Sequence, residues 1–299
     1  MATLKELGAL SEDVYNRSDN KLSRRVGYTR SDPQNWTAGF AGGAYRKQGE
    51  TVVAFRGTDD GQDMVSNAMM VPLLEPGAAR NGLRAMAEEL EVDDDLVMSR
   101  VLPSMAEDIM SRRSVRNRIA RSANRVPEQL DEALAYFDRQ SPTPSWVTGH
   151  SLGGALAQLV GEARGVPAVA FNSPNLGFIG GATPVTSTGI LLFNARLDPL
   201  SLVTREVGNP AHGRVESVEV ARFRRPPSRT RREFRWRDIL TPIPVRVAQR
   251  VRSESEHYAA LISYLLEAMF HYHGIGTLNT YLGKHGRYNR TLATDFSGL

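Results

Sequence analysis

Trp146-Val147-Thr148-Gly149-His150-Ser151-Leu152-Gly153-Gly154 is the stretch whose reading decides the fold of this chain. Trp146 to Thr148 is strand-like, Leu152 to Glu162 is rich in Ala and Leu and helix-prone, and the join carries the G-x-S-x-G spacing of a nucleophile elbow. A turn that sharp drives the serine backbone into a strained region, and Gly149 and Gly153 remove the side chains that would collide there. Ser151 Oγ is thereby expected at the N-terminus of a helix, whose unpaired N–H groups favour a developing negative charge.

Working outward, Thr37 to Tyr45 and Thr51 to Phe55 are β-rich runs around Lys47-Gln48-Gly49-Glu50, which suits a hairpin feeding a sheet. Val52 to Phe55 reads as a buried strand. It runs into the polar Arg56-Gly57-Thr58-Asp59-Asp60-Gly61, after which Asp63 to Val71 forms a short apolar helix that Met64, Met69 and Met70 make adaptable. Residues 76–126 turn charged and helical and are expected to be a cap inserted into the domain. Pro127 opens a helix with Leu130, Ala133, Leu134 and Phe137 on one face and Glu128, Asp131 and Arg139 on the other. Downstream, Ala168–Phe171 and Ile190–Phe193 are continuous apolar runs, as expected of strands covered on both faces. Strand and helix alternate. The expectation is a single α/β domain over 1–299, with a mainly parallel central sheet flanked by helices and its working groups at the C-terminal tips of the strands.

A serine hydroxyl is a weak nucleophile at neutral pH and needs a base to take its proton and an acid to orient that base. In α/β-hydrolase folds these follow in the order serine, acid, histidine. Asp198 suits the acid, because Asn194-Ala195-Arg196-Leu197-Asp198-Pro199 follows an apolar strand. Five of the six histidines lie beyond it. His273 is the choice for the base, since Gly274 and Gly276 suggest a mobile loop able to deliver an imidazole to the sheet edge. His257 and His271 stay open as alternatives on a helix with Tyr258, Leu261 and Leu265. His150 flanks the serine inside the elbow and is not expected to reach around as its base. For an oxyanion hole, one donor is expected from the N–H of Leu152 and the other from Thr58, after the strand Val52–Phe55.

Together Val53-Ala54-Phe55-Arg56-Gly57-Thr58, Gly149-His150-Ser151-Leu152-Gly153-Gly154, Asn194 to Pro199 and His273-Gly274-Ile275 make the chain resemble the class 3 lipase family of α/β-hydrolases. The resemblance covers roughly residues 37–72 and 145–221, more weakly the histidine region. It implies a serine lipase acting on lipid esters, with Ser151 as nucleophile, Thr58 completing the oxyanion hole and the helix Asp63–Val71 acting as a lid. Two departures stand out. The family often has tryptophan where this lid has Met64, and the stretch from Thr58 to Ser151 is long.

Composition narrows the rest. With no cysteine there is no disulfide, no thiolate metal site and no cysteine nucleophile, and the chemistry above calls for no metal or organic cofactor. The net charge of +4 conceals two basic segments: six arginines between Arg112 and Arg125, and eight between Arg222 and Arg237. Outside them the chain is net acidic. Such patches suit an anionic membrane surface, and a phospholipase reading gains from them. Nucleic acid is not expected, because no recognition motif accompanies the charge. The N-terminus has no apolar signal-like core and no run long enough to span a membrane is visible, so a cytoplasmic protein or one exported without a cleaved signal is expected. The alternative class is a non-catalytic α/β-hydrolase-like module that uses its arginines to bind a membrane or a partner.

Overall fold

A computed structural model of the protein describes residues 1–16, 20–31, 35–36, 40–57, 84, 128–176, 189–206, 211–223, 267–268, 270–294 and 296. Its helices are α1 (Leu4–Asp13), α2 (Lys21–Arg25), α3 (residues 128–138), α4 (Leu152–Arg164), α5 (Pro199–Glu206) and α6 (Ile275–Lys284). The strands are β1 (Thr29–Arg30), β2 (Asn35–Trp36), β3 (Ala41–Lys47), β4 (Glu50–Phe55), β5 (Trp146–His150), β6 (Ala168–Phe171), β7 (Ile190–Ala195) and β8 (Arg214–Val218). The expected lid Asp63–Val71, the expected cap 76–126 apart from position 84, Thr58, His257, the arginines from Arg112 to Arg125 and those from Arg224 to Arg237 lie outside the described residues.

β3 and β4 form the anticipated hairpin, antiparallel from Lys47 opposite Glu50 to Gly42 opposite Phe55. From β4 onward every neighbour is parallel, and the strands lie side by side in chain order β4-β5-β6-β7-β8. The short β1 and β2 both pair with β3 on the hairpin side. Parallel neighbours need crossovers, and helices supply them: α4 carries the chain from β5 to β6.

Period-2 alternation divides β4 between two cores. Val52 and Ala54 face a layer built by Leu4, Leu7 and Leu10 of α1 and Leu278 and Leu282 of α6. Val53 and Phe55 face the other layer, where Tyr136 and Phe137 of α3 meet Leu156 and Val160 of α4. Every residue of β5, β6 and β7 is buried, which is why Ala168–Phe171 and Ile190–Phe193 are apolar without interruption. In α3 Ala133 and Phe137 are buried while Glu128, Asp131 and Arg139 are exposed, as their spacing requires. A fully buried Leu or Phe contributes about 1.5–3 kcal/mol, so these two layers hold the sheet in place.

Parallel order brings the C-terminal ends of four strands to one rim: Phe55 of β4, His150 of β5, Phe171 of β6 and Ala195 of β7. Chain direction alone thereby gathers the loop before Thr58, Ser151 and Asp198 at one edge of the sheet. No described helix is long and apolar enough to cross a membrane.

Candidate active site

Ser151 sits between β5 and α4 with φ 59° and ψ −127°, a left-handed conformation that side chains rarely adopt. The strain persists because the surroundings over-determine it. A Cβ on Gly149 would lie 2.2 Å from the carbonyl oxygen of Gly153, and one on Gly153 would lie 2.2 Å from that of Phe55. Backbone thus packs on backbone at the elbow, and only glycine permits it. The Ser151 N–H donates to the Phe171 carbonyl at 3.0 Å, fixing the turn to β6.

Asp198 arrives from β7 and precedes α5, with Pro199 at the first helical position. Its Oδ2 accepts from the Ser201 N–H at 2.7 Å and from the Ser201 hydroxyl at 2.5 Å, which caps the helix. Its Oδ1 is left to face His273 Nδ1 at 2.5 Å, and the carboxylate is fully buried. Because a carboxylate only accepts, Nδ1 carries the proton and Nε2 is the acceptor. His273 Nε2 lies 3.0 Å from Ser151 Oγ, so the hydroxyl can donate to it. Ser151, His273 and Asp198 thus form one continuous chain of hydrogen bonds in a site shielded from water: the exposures are 4%, 2% and 0%.

His273 does not arrive on a mobile loop. It ends a helical turn, Gly274 joins that turn to α6, and Gly276 lies within α6. The glycine freedom expected to deliver the imidazole is replaced by a junction between two helices, and the ring is held by the Asp198 carboxylate. His271 is engaged elsewhere, its Nε2–H donating to the Ala221 carbonyl at 2.8 Å. His212 is bound to Glu162 at 2.5 Å, and His285 packs on Tyr281 with ring centroids 4.1 Å apart.

Leu152 is the first residue of α4, where helix N–H groups have no intrahelical partner. Across from it, a Cβ on Gly57 would come within 3.1 Å of Ser151 Cβ and 2.5 Å of the His150 carbonyl. The strand-end that leads to Thr58 therefore runs directly beside the elbow.

Two residues that sequence reasoning missed complete the surroundings. Tyr15 follows α1; its hydroxyl accepts from the Gly57 N–H at 3.1 Å and donates to His150 Nδ1 at 2.9 Å. His150 Nε2–H in turn donates to the His273 carbonyl at 2.7 Å. The directions are forced, since a carbonyl only accepts and an N–H only donates. Burial, and then the neighbouring His273, push the His150 imidazole down to about 3, so it stays neutral and keeps this tautomer. Asn172, just past β6, binds the backbone of Tyr272 and His273 through its carboxamide. Nothing around Tyr15 in the sequence marks it. Asn172 carries a faint signal, as an asparagine directly after a buried strand.

Residues 52–163 match the family model described as lipase (class 3). A Debaryomyces hansenii protein named "Putative lipase ATG15" is 71% identical over 34 residues, which is 11% of this chain and 6% of that protein. A Saccharomyces cerevisiae protein of the same name is 76% identical over 29 residues, 10% of this chain and 6% of that protein. The matched stretch therefore spans a small fraction of these relatives' length. Among solved structures, the Rhizomucor miehei lipase propeptide complex covers 69% of this chain and 64% of its own, at 13% identity and a TM-score of 0.33. A fungal lipase–inhibitor complex covers 64% and 70%, at 17% identity and a TM-score of 0.32. Across residues 52–163, then, this chain is similar to the class 3 lipases.

Proposed function

We propose that the protein is a serine carboxylic ester hydrolase that acts on lipid esters through an acyl-serine intermediate. The observation that carries this reading is the hydrogen-bonded chain from Ser151 Oγ through His273 to Asp198, begun by a serine in a strained elbow. Ser151 Oγ attacks the ester carbonyl carbon while His273 Nε2 takes its proton, and the carbonyl π electrons move to oxygen. Asp198 steadies the imidazolium. The oxyanion is held by the Leu152 N–H and by Thr58, at the start of a helix whose dipole favours negative charge. Collapse of the tetrahedral species returns the electron pair and expels the alcohol, which receives the proton from His273. Water, deprotonated by the same imidazole, then cleaves the acyl-serine to release the acid.

Lipid rather than small esters as the substrate class is favoured by the family match and by the lipase names of its relatives. The arginine-rich segments favour a phospholipase among lipases, because guanidinium groups bind phosphate in a bidentate fashion. Ser151→Ala should lower hydrolysis of a p-nitrophenyl ester by about 10⁴-fold or more and abolish labelling by a fluorophosphonate probe, with the melting temperature unchanged. An alanine variant that kept most of its turnover would end the proposal, whereas a parent chain with neither turnover nor labelling would leave the non-catalytic module as the reading. Anionic and zwitterionic phospholipid vesicles compared with a neutral acylglycerol emulsion decide the substrate class.

A further inference from the structure

The geometry points to Asn172 as a positioning residue that holds His273 in register with Ser151 and Asp198; this rests on the reading of His273 as the general base. Asn172 is fully buried at the end of β6, and its φ of 43° lies in the left-handed region, where asparagine is among the best-tolerated side chains. Both hydrogens of Nδ2 are used, one on the Tyr272 carbonyl at 2.9 Å and one on the His273 carbonyl at 2.8 Å. Oδ1 accepts from the Ala195 N–H at 2.8 Å, and the Asn172 N–H donates to Phe193 at 3.2 Å.

Each partner has a bearing on the reaction. Tyr272 and His273 close the helical turn that carries the imidazole, and the last carbonyls of a helix have no partner within it. Ala195 ends β7, the strand that delivers Asp198. One planar group thus ties the backbone of the base to the backbone leading to the acid. The third member is tied to the same point, because His150, the residue before Ser151, donates its Nε2–H to the same His273 carbonyl at 2.7 Å. Two donors, one from the elbow and one from β6, fill both lone pairs of that oxygen. The task demands two donors and one acceptor on a short planar side chain, which only a carboxamide supplies. Aspartate would set a carboxylate oxygen against two carbonyls, and glycine would suit the backbone but leave the helix end unbound.

Asn172→Asp and Asn172→Gly, made in the full chain, test this with kinetics counted per folded molecule well below each melting temperature. Expected in both are a fall in kcat of about 10- to 100-fold on a soluble ester, an equal fall in the rate of fluorophosphonate labelling, and a KM within about two-fold of the parent. A purely structural role would lower stability while leaving kcat and labelling rate per folded molecule unchanged, and that result in either folded variant overturns the inference. If the Asn172 variants match the parent while Ser151→Ala is dead, this inference alone fails. An active Ser151→Ala would instead bring down the reading beneath it.

Discussion

His150 and His273 place their rings 4.8 Å apart and do opposite things, because their partners differ. His273 has a carboxylate on one side and a hydroxyl on the other, an arrangement able to take up a proton. His150 stands between a tyrosine hydroxyl and a carbonyl, and its fold-induced pKa of about 3 makes it a neutral strut. That difference has a stability consequence. Above about pH 6.5 the imidazole is neutral whether the chain is folded or not, and contributes no pH dependence. As pH falls below 6.5 the unfolded chain takes a proton that the native state refuses, so native stability drains away down to pH 3, by on the order of 4 kcal/mol. Melting curves between pH 7 and pH 4 should therefore fall less steeply for His150→Gln than for the parent. Parallel curves would mean that His150 titrates freely in the folded protein.

The elbow is an element-scale device, in which β5, α4 and β4 share backbone contacts that leave no room for a side chain. Gly153→Ala would drive a Cβ to 2.2 Å from the Phe55 carbonyl, and backbone on both sides has to move. We expect a loss of about 3 kcal/mol in urea unfolding, together with loss of Ser151 labelling; parent-like stability would mean that α4 is not pressed onto β4. This part of the fold was legible in sequence because short-range signals coincide there: a strand run, a glycine pair and a helix-prone run. Asp198 was legible for a similar reason, since a turn aspartate before proline sits where the proposed acid is needed, and its carboxylate both caps α5 and faces His273. His273 does lie 3.0 Å from Ser151 Oγ, but the glycines beside it, read as mobility, join and continue helices. Tyr15 was not legible at all, and Asn172 only faintly. Their contacts with Gly57 and His273 span 42 and 101 positions, and no local pattern encodes a partner that far away.

At the scale of the whole molecule, the site depends on a helical layer that covers the far face of the sheet. α1 carries Ser11, whose hydroxyl donates to Thr148 Oγ1 at 2.8 Å in the middle of β5, and runs on into Tyr15. α6 begins two residues after His273. The two helices meet at Gly8, whose carbonyl accepts from Asn279 Nδ2 at 3.0 Å and where a Cβ would approach Asn279 Oδ1 to 2.4 Å and Leu282 Cδ1 to 3.0 Å. In the proposed mechanism, the alignment of His273 with Ser151 draws on this close approach of α1 and α6, although neither helix bears a reacting group. Gly8→Leu should force them apart, costing about 1–3 kcal/mol and slowing fluorophosphonate labelling of Ser151 per folded molecule as His273 moves with α6. Gly283→Ala is the matched control, on the same α6 at a point where an added Cβ meets nothing within 4 Å. It should label at the parent rate and gain up to about 1 kcal/mol from helix propensity. Equal labelling rates for Gly8→Leu, Gly283→Ala and the parent would show that the α1–α6 contact stabilises the fold without setting the position of His273.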